Sequence, residues 1–351
     1  MNSAPLSSAN DVRDAAYHRN QVKSLCFLAL LAVVLAAAAL LSLRAGSYET
    51  PLAELVRGVF GLAQDEKVNL VVQANRLPRI CTAILGGAGL GLAGCILQAI
   101  LNNPLASAST LGVSQGATFG AAFAIVVLGL AGKSGMGVTL CSFAGSLAVA
   151  ALILGLSRFR QISPEGIVLA GVAISSMLTG ATTLIQYFAS EVELATLVFW
   201  TFGDLGSTGM SDLRLTSLVV LALILYCVFH RWDYNALLGG AEMAVSLGIN
   251  VRGLTLMSML LCCLTSSVIV SQIGLISFIG LVAPHAVRLV VGNNHVYLIP
   301  GSLLAGASLL LLGDLFARTA IAPVILPIGA ITSFLGGPLF LYLLFRGGRQ
   351  T

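Results

Sequence analysis

The chain has 351 residues, of which 57% are hydrophobic and 9% charged, with a mean hydropathy of +0.97 and a formal charge of +4. A soluble chain carries roughly a quarter charged residues, so a single water-exposed globular domain is excluded. So weak a positive charge, without a basic stripe, also excludes nucleic-acid binding.

Apolar runs of about 20 residues, rather than alternating segments of roughly ten, specify an all-α integral membrane protein of about ten transmembrane helices. Residues 1–22 are polar and of mixed charge and read as a frayed cytoplasmic tail. Lys23–Leu43 is the first span; its apolar run outlasts the roughly 7–15 residues of a signal peptide, so it is retained. Arg44–Arg79 is the longest polar stretch, too short for a nucleotide-binding domain. Nine further spans follow at about 80–101, 111–130, 137–156, 166–188, 212–229, 254–272, 275–291, 298–313 and 327–345. Only Gln272 and Gly274 separate 254–272 from 275–291. Residues 23–346 thus form one transmembrane domain, followed by a short tail at 347–351. With the amino terminus inside, and the 44–79 loop set aside, Lys and Arg number ten inside against three outside. That places both termini in the cytoplasm.

The stretch Arg76–Ala121 sets the pattern of the chain. Arg76, Pro78 and Arg79 lead into a glycine-crowded apolar segment that breaks at Asn102-Asn103-Pro104, because the residue before a proline is pushed out of the helical region. A second apolar segment begins at Leu111. Gly87, Gly91 and Gly94 put small residues on neighbouring turns, a surface that lets helix backbones approach closely in lipid. Gly132-Lys133-Ser134 looks like the end of a phosphate-binding loop, but Val127 stands where its first glycine is needed and no strand precedes it. ATPase chemistry is therefore not expected here. No Ser/His/Asp or paired-carboxylate set suggests catalysis. His285, between Pro284 and Arg288, lacks a second ligand at helical spacing for a metal and reads as a satisfied polar residue at a helix bend or interface. Glu191, Glu193, Asp204 and Asp314 fall at span ends, whereas ion-coupled carriers need ionisable groups deep in the bilayer. The seven cysteines lie in apolar segments without metal spacing and read as small packing residues. In the inner segment 231–253, Glu242–Leu247 is expected to form a short helix stopped by Gly248. Its apolar neighbours have no local core, so it is either an interfacial anchor or a docking surface.

Six stretches, taken together, carry a resemblance: RLPR at Arg76–Arg79, NNPLASASTLGVSQGA from Asn102, FWTFGDLG from Phe199, GGAEMAVSLGINV from Gly239, GLISFIGLVAPHAVRL from Gly274 and ILPIGAITSFLGGPLFLYLL from Ile325. In this order they resemble the FecCD-type permeases, membrane subunits of ATP-binding-cassette (ABC) importers for ferric siderophores, haem and cobalamin. The resemblance covers Arg76–Arg346. It implies the type II ABC importer permease fold in a bacterial plasma (inner) membrane, paired with a second permease copy as a homodimer around a central path. It also implies two cytoplasmic ATPase subunits below and an extracytoplasmic substrate-binding protein above. No cofactor is expected on this chain, with ATP and Mg on the partner ATPase.

Residue by residue, the resemblance implies that Glu242, Met243, Leu247 and Gly248 couple to the ATPase, settling the open choice toward docking. Arg76, Arg79 and Arg318 would face outward to carboxylates on the binding protein. Asn103, Pro104 and Leu105 would form the cytoplasmic gate, with Ser163–Gly166 opposite, where Pro164 and Glu165 depart from the family's pattern. Pro284, His285 and Arg288 fall in a family helix motif, and 166–188 with 192–206 would line the upper path. The expected function is alternating-access import of a ferric siderophore or related metal chelate, driven by the partner ATPase, with cobalamin or haem as the alternative cargo. From other classes, an ion-coupled secondary transporter is opposed by the lack of mid-membrane carboxylates, and a passive scaffold by the broken, glycine-rich spans.

Overall fold

The computed structural model describes residues 6–45, 50–131, 135–158 and 163–347. The Gly132-Lys133-Ser134 triplet lies outside them. The elements in order are α1 (Leu6–Arg44), α2 (Leu52–Val59), α3 (Glu66–Val71), α4 (Leu77–Ile100), α5 (Val113–Ala122), α6 (Gly135–Arg158), α7 (Pro164–Tyr187) and α8 (Glu191–Phe202). They continue as α9 (Asp212–Phe229), α10 (Arg231–Leu237), α11 (Ala241–Ser246), α12 (Val251–Ile273), α13 (Ile279–Val291), α14 (His295–Thr319) and α15 (Ile328–Gly347). One π turn, Val72–Arg76, joins α3 to α4, and another, Phe123–Val127, extends α5. Among the described residues, seven helices are long and apolar enough to cross a membrane, and three shorter apolar ones, α5 with its π turn, α13 and α15, complete the ten predicted spans.

Three boundaries differ from expectation. The predicted frayed tail is helical from Leu6, because no glycine or proline interrupts the chain between there and Arg44. The polar stretch after α1 folds into α2, α3 and the π turn instead of remaining a loop. The predicted span 298–313 runs on to Thr319, with Pro300 accommodated in its second turn.

α4 is the axis of the bundle. It is buried along most of its length against α14, α12, α13 and α9. Its glycines explain the closeness: a Cβ on Gly87 would strike the Gly306 carbonyl in α14, and one on Gly94 the Gly280 carbonyl in α13. Backbone-to-backbone approach of this kind is how helices gain dispersion contacts where lipid removes the hydrophobic drive.

Of the three shorter helices, α5 and α13 fall well short of a full crossing, while α15 has 20 residues. α13 has 13 residues, about 20 Å at 1.5 Å per residue, against a hydrocarbon core of about 30 Å. The non-helical leaders 106–112 and 274–278 complete these crossings inside the bundle, where protein satisfies the backbone. The Leu111 amide donates to the Ser107 carbonyl at 3.0 Å, and the Asp204 amide reaches the Ile273 carbonyl at 2.9 Å.

Candidate functional site

Polar chemistry gathers at the two ends of α14. At its carboxyl-terminal end, Asp314 is fully buried and holds two arginines. Arg79 Nη2 and Nε lie 2.8 and 2.9 Å from Asp314 Oδ1, and Arg318 Nε lies 3.0 Å from Oδ2. Arg318 also donates to the Ala45 carbonyl at 3.1 Å and to Ser42 at the end of α1. Arg76 is buried and donates to the Leu43 carbonyl at 2.7 Å. Asp204 stands 3.9 Å from Arg79 and is mostly exposed. The structure thus brings Arg76, Arg79 and Arg318 to one end of the bundle. Where the resemblance implies outward-facing side chains, each guanidinium here makes its described hydrogen bonds within the chain. Asp314, read from the sequence as an ordinary span-end carboxylate, lies inside α14 and is the hub of this cluster. Its role was hidden because Arg79 is 235 residues away in sequence.

At the other end of α14, α10 and α11 form a hairpin-like pair. α11 matches the expected short helix: Leu247 caps it and Gly248 follows at φ +84°, a left-handed turn that suits glycine. Ala244 is buried, while Glu242, Met243, Leu247 and Gly248 are exposed, the leucine at 62%. α10 is anchored firmly. The fully buried Tyr234 hydroxyl pairs with Ser258 Oγ at 2.7 Å, and burial holds its phenol well above the ordinary tyrosine range. Asn235 Nδ2 donates to Asn294 Oδ1 at 3.0 Å, and Asn235 Oδ1 accepts from the His295 amide at 2.7 Å. Asn235 was not singled out from the sequence, where an asparagine in a loop carries no distinguishing signal.

The elbow after α4 ends at the same side as α10. Asn103 Oδ1 accepts from the Leu105 amide at 2.9 Å, and the Asn103 carbonyl from Ala106 at 3.1 Å, so Pro104 sits inside a locked turn with Leu105 exposed. Pro164 and Glu165, which depart from the family pattern, start α7: Ser163 caps the Gly166 amide at 3.2 Å with proline in the first turn. Among the described residues neither buried ring nitrogen of His285 meets a hydrogen-bond partner, and the ring sits edge-on to Phe340 at 5.8 Å; its neighbours on α13, Pro284 and Arg288, are buried and half-buried. Among the described residues no three His, Cys, Asp or Glu side chains gather to hold a metal.

The family model described as the FecCD transport family matches residues 33–346. A Methanocaldococcus jannaschii protein described as an ABC transporter permease is 44% identical over 333 residues, covering 92% of this chain and 95% of that protein. The hemin transport system permease protein HmuU of Yersinia pestis is 37% identical, covering 78% of this chain and 83% of its own length. A solved transporter described as metal-chelate type, in an inward-facing conformation, superposes with a TM-score of 0.80 at 30% identity, over 91% of this chain and 98% of that one.

Proposed function

We propose, on the premise that the chain belongs to the FecCD transport family, that its cargo is a metal chelate, a ferric siderophore first. It is a multi-pass membrane protein and the permease subunit of an ABC importer. Two copies pair in the plasma membrane as a homodimer around the path, with both termini in the cytoplasm. Two ATPase subunits, carrying ATP and Mg, seat against α11, and a substrate-binding protein meets the opposite end. The observation that carries this reading is α11 itself. It is a short helix exposing Met243, Val245 and Leu247 beyond the bundle, on a mount fixed to α12 and α14. An apolar patch on so rigid a mount suits a partner that pushes. Such a partner shifts the subunit only if it binds the two states of the bundle unequally. The Asn103-Pro104-Leu105 turn is proposed as the gate on this side. The arginine cluster at the far end is proposed to set the geometry of the docking face, with Asp204 and the outer edges of Arg79 and Arg318 reaching the binding protein. Haem is the second cargo reading, favoured by the name of the Yersinia relative, with cobalamin behind it.

The test is uptake of iron-labelled siderophore into proteoliposomes holding this chain, its ATPase and its binding protein. Leu247→Asp and Gly248→Val should abolish ATP-driven uptake while membrane insertion persists. Uptake driven by an ion gradient without ATPase would replace this reading with the secondary-transporter one.

A further inference from the structure

The half-length helices α5 and α13 begin inside the bundle, and their first turns face each other. Neither has a side-chain cap. Between them lies a cavity of about 20 Å³, bordered by Ser107, Ser109, Ser114, Ser266, Phe278 and Gly280. Leu90, which also borders it, stands well inside α4 as Ser266 does in α12, so the cavity is remote from both faces of the bundle. Ser109 and Ser114 pair with each other at 3.1 Å, and Ser107 with Thr110 at 3.3 Å. Ser266 is different. It borders the cavity, is 1% exposed, and its hydroxyl has no hydrogen-bond partner among the described residues.

The chemistry of this lining is selective. No carboxylate borders the cavity, so a metal cation finds no charged ligand. No Lys, Arg or His borders it either, so a phosphate or carboxylate finds no cationic side chain to pair with it. Each uncapped helix amino terminus carries about half a positive charge, so two together supply about one, matched to a monovalent guest. Serine hydroxyls add donors, while the Val113, Ile279 and Leu281 amides already donate to backbone carbonyls. We propose that this cavity binds one monatomic anion of the chloride class, accepting from Ser266 Oγ and tying the first turns of α5 and α13 to α12. Half-helix amino termini facing a guest near mid-membrane are a recognised way to hold negative charge in lipid.

The experiment uses the full-length chain in lipid nanodiscs. Its thermal unfolding is followed in chloride and bromide against gluconate at equal ionic strength, and bromide is located by anomalous diffraction from crystals. Halide should raise the midpoint by about 2 °C or more in a saturating manner, with a bromide peak within hydrogen-bond reach of Ser266 Oγ. Ser266→Ala should lose the shift, whereas Ser308→Ala, which removes another buried unpartnered hydroxyl away from the cavity, should keep it. Equal midpoints in gluconate and halide, or a water in place of the bromide peak, overturns the proposal. Should Ser266→Ala not fold, the bromide peak and halide titration of the unmodified chain decide the matter.

Discussion

Asp314→Asn is the perturbation that weighs most on the fold. The carboxylate is fully buried, and it is the shared acceptor for Arg79 and Arg318, whose side chains are 14% and 12% exposed. Removing one partner of a buried ion pair costs about 3–5 kcal/mol, because a charge is left without compensation. The amide oxygen still accepts one hydrogen bond, so the lower end, about 3 kcal/mol, is expected, roughly a hundredfold in the folded-to-unfolded ratio. The loss should fall unequally on the two arginines. Arg318 keeps the Ala45 carbonyl and Ser42, whereas Arg79 is left with Asp204, 3.9 Å away and 61% exposed. Double-mutant cycles with Arg79→Gln and Arg318→Gln, read by detergent-titrated unfolding in mixed micelles, should therefore give a larger coupling to Arg79, within the usual range of about 0.5–3 kcal/mol for contacting residues. A stability for Asp314→Asn within about 0.5 kcal/mol of the parent, or coupling stronger at Arg318, would refute the reasoning.

Gly94→Ala should destabilise by about 1–3 kcal/mol or more in the same unfolding assay, because the added Cβ meets the Gly280 backbone rather than a yielding side chain. Gly155→Ala, where nothing lies in the way, should not. The Glu193 carboxyl is held below its ordinary value of 4.5 by the Ser190 amide and then by the Ser190 hydroxyl, both 2.8 Å away. A depressed folded value means the cap's contribution is present above the unfolded value and lost as pH falls through the folded one. Protection of the first α8 amides against exchange should accordingly fall below about pH 4; Glu193→Gln should abolish that pH dependence, whereas Ser190→Ala, which keeps the backbone amide, should only weaken it. Asn235→Ala should leave ATPase binding intact but lower uptake per ATP hydrolysed, since it cuts the bonds from α10 to Asn294 and His295; unchanged coupling would place the force path elsewhere.

The parts legible in the sequence were those fixed by local physics. Ten apolar segments, the break at Asn102–Pro104, the short helix ahead of Gly248 and the thin division at Gln272–Gly274 all follow from neighbours within a few residues. Contacts distant in sequence were not legible. Nothing about Asp314 announces that it will meet Arg79, because an aspartate near a span end looks the same whether solvated or buried. His285 is a related case: what stands beside a buried ring depends on what α15 brings to it, and α15 presents Phe340. The inner starting points of α5 and α13 were hidden because length in residues does not reveal at what depth a helix begins.

The position of the polar groups bears on what the bundle can do. If ion binding within each span drove transport, ionisable side chains would be expected along the helices at mid-depth. Here the charged hub at Asp314 and the anchored mount at Tyr234 and Asn235 lie toward opposite ends of α14, and the middle of the bundle is joined by glycine contacts and hydroxyls. α14 contacts α4 most extensively and also touches α1, α10 and α13, so a displacement imposed at the α10–α11 end meets a rod clamped at the other. Such a rod transmits a displacement along its axis. The physical expectation is a subunit that responds to whatever seats at its two ends.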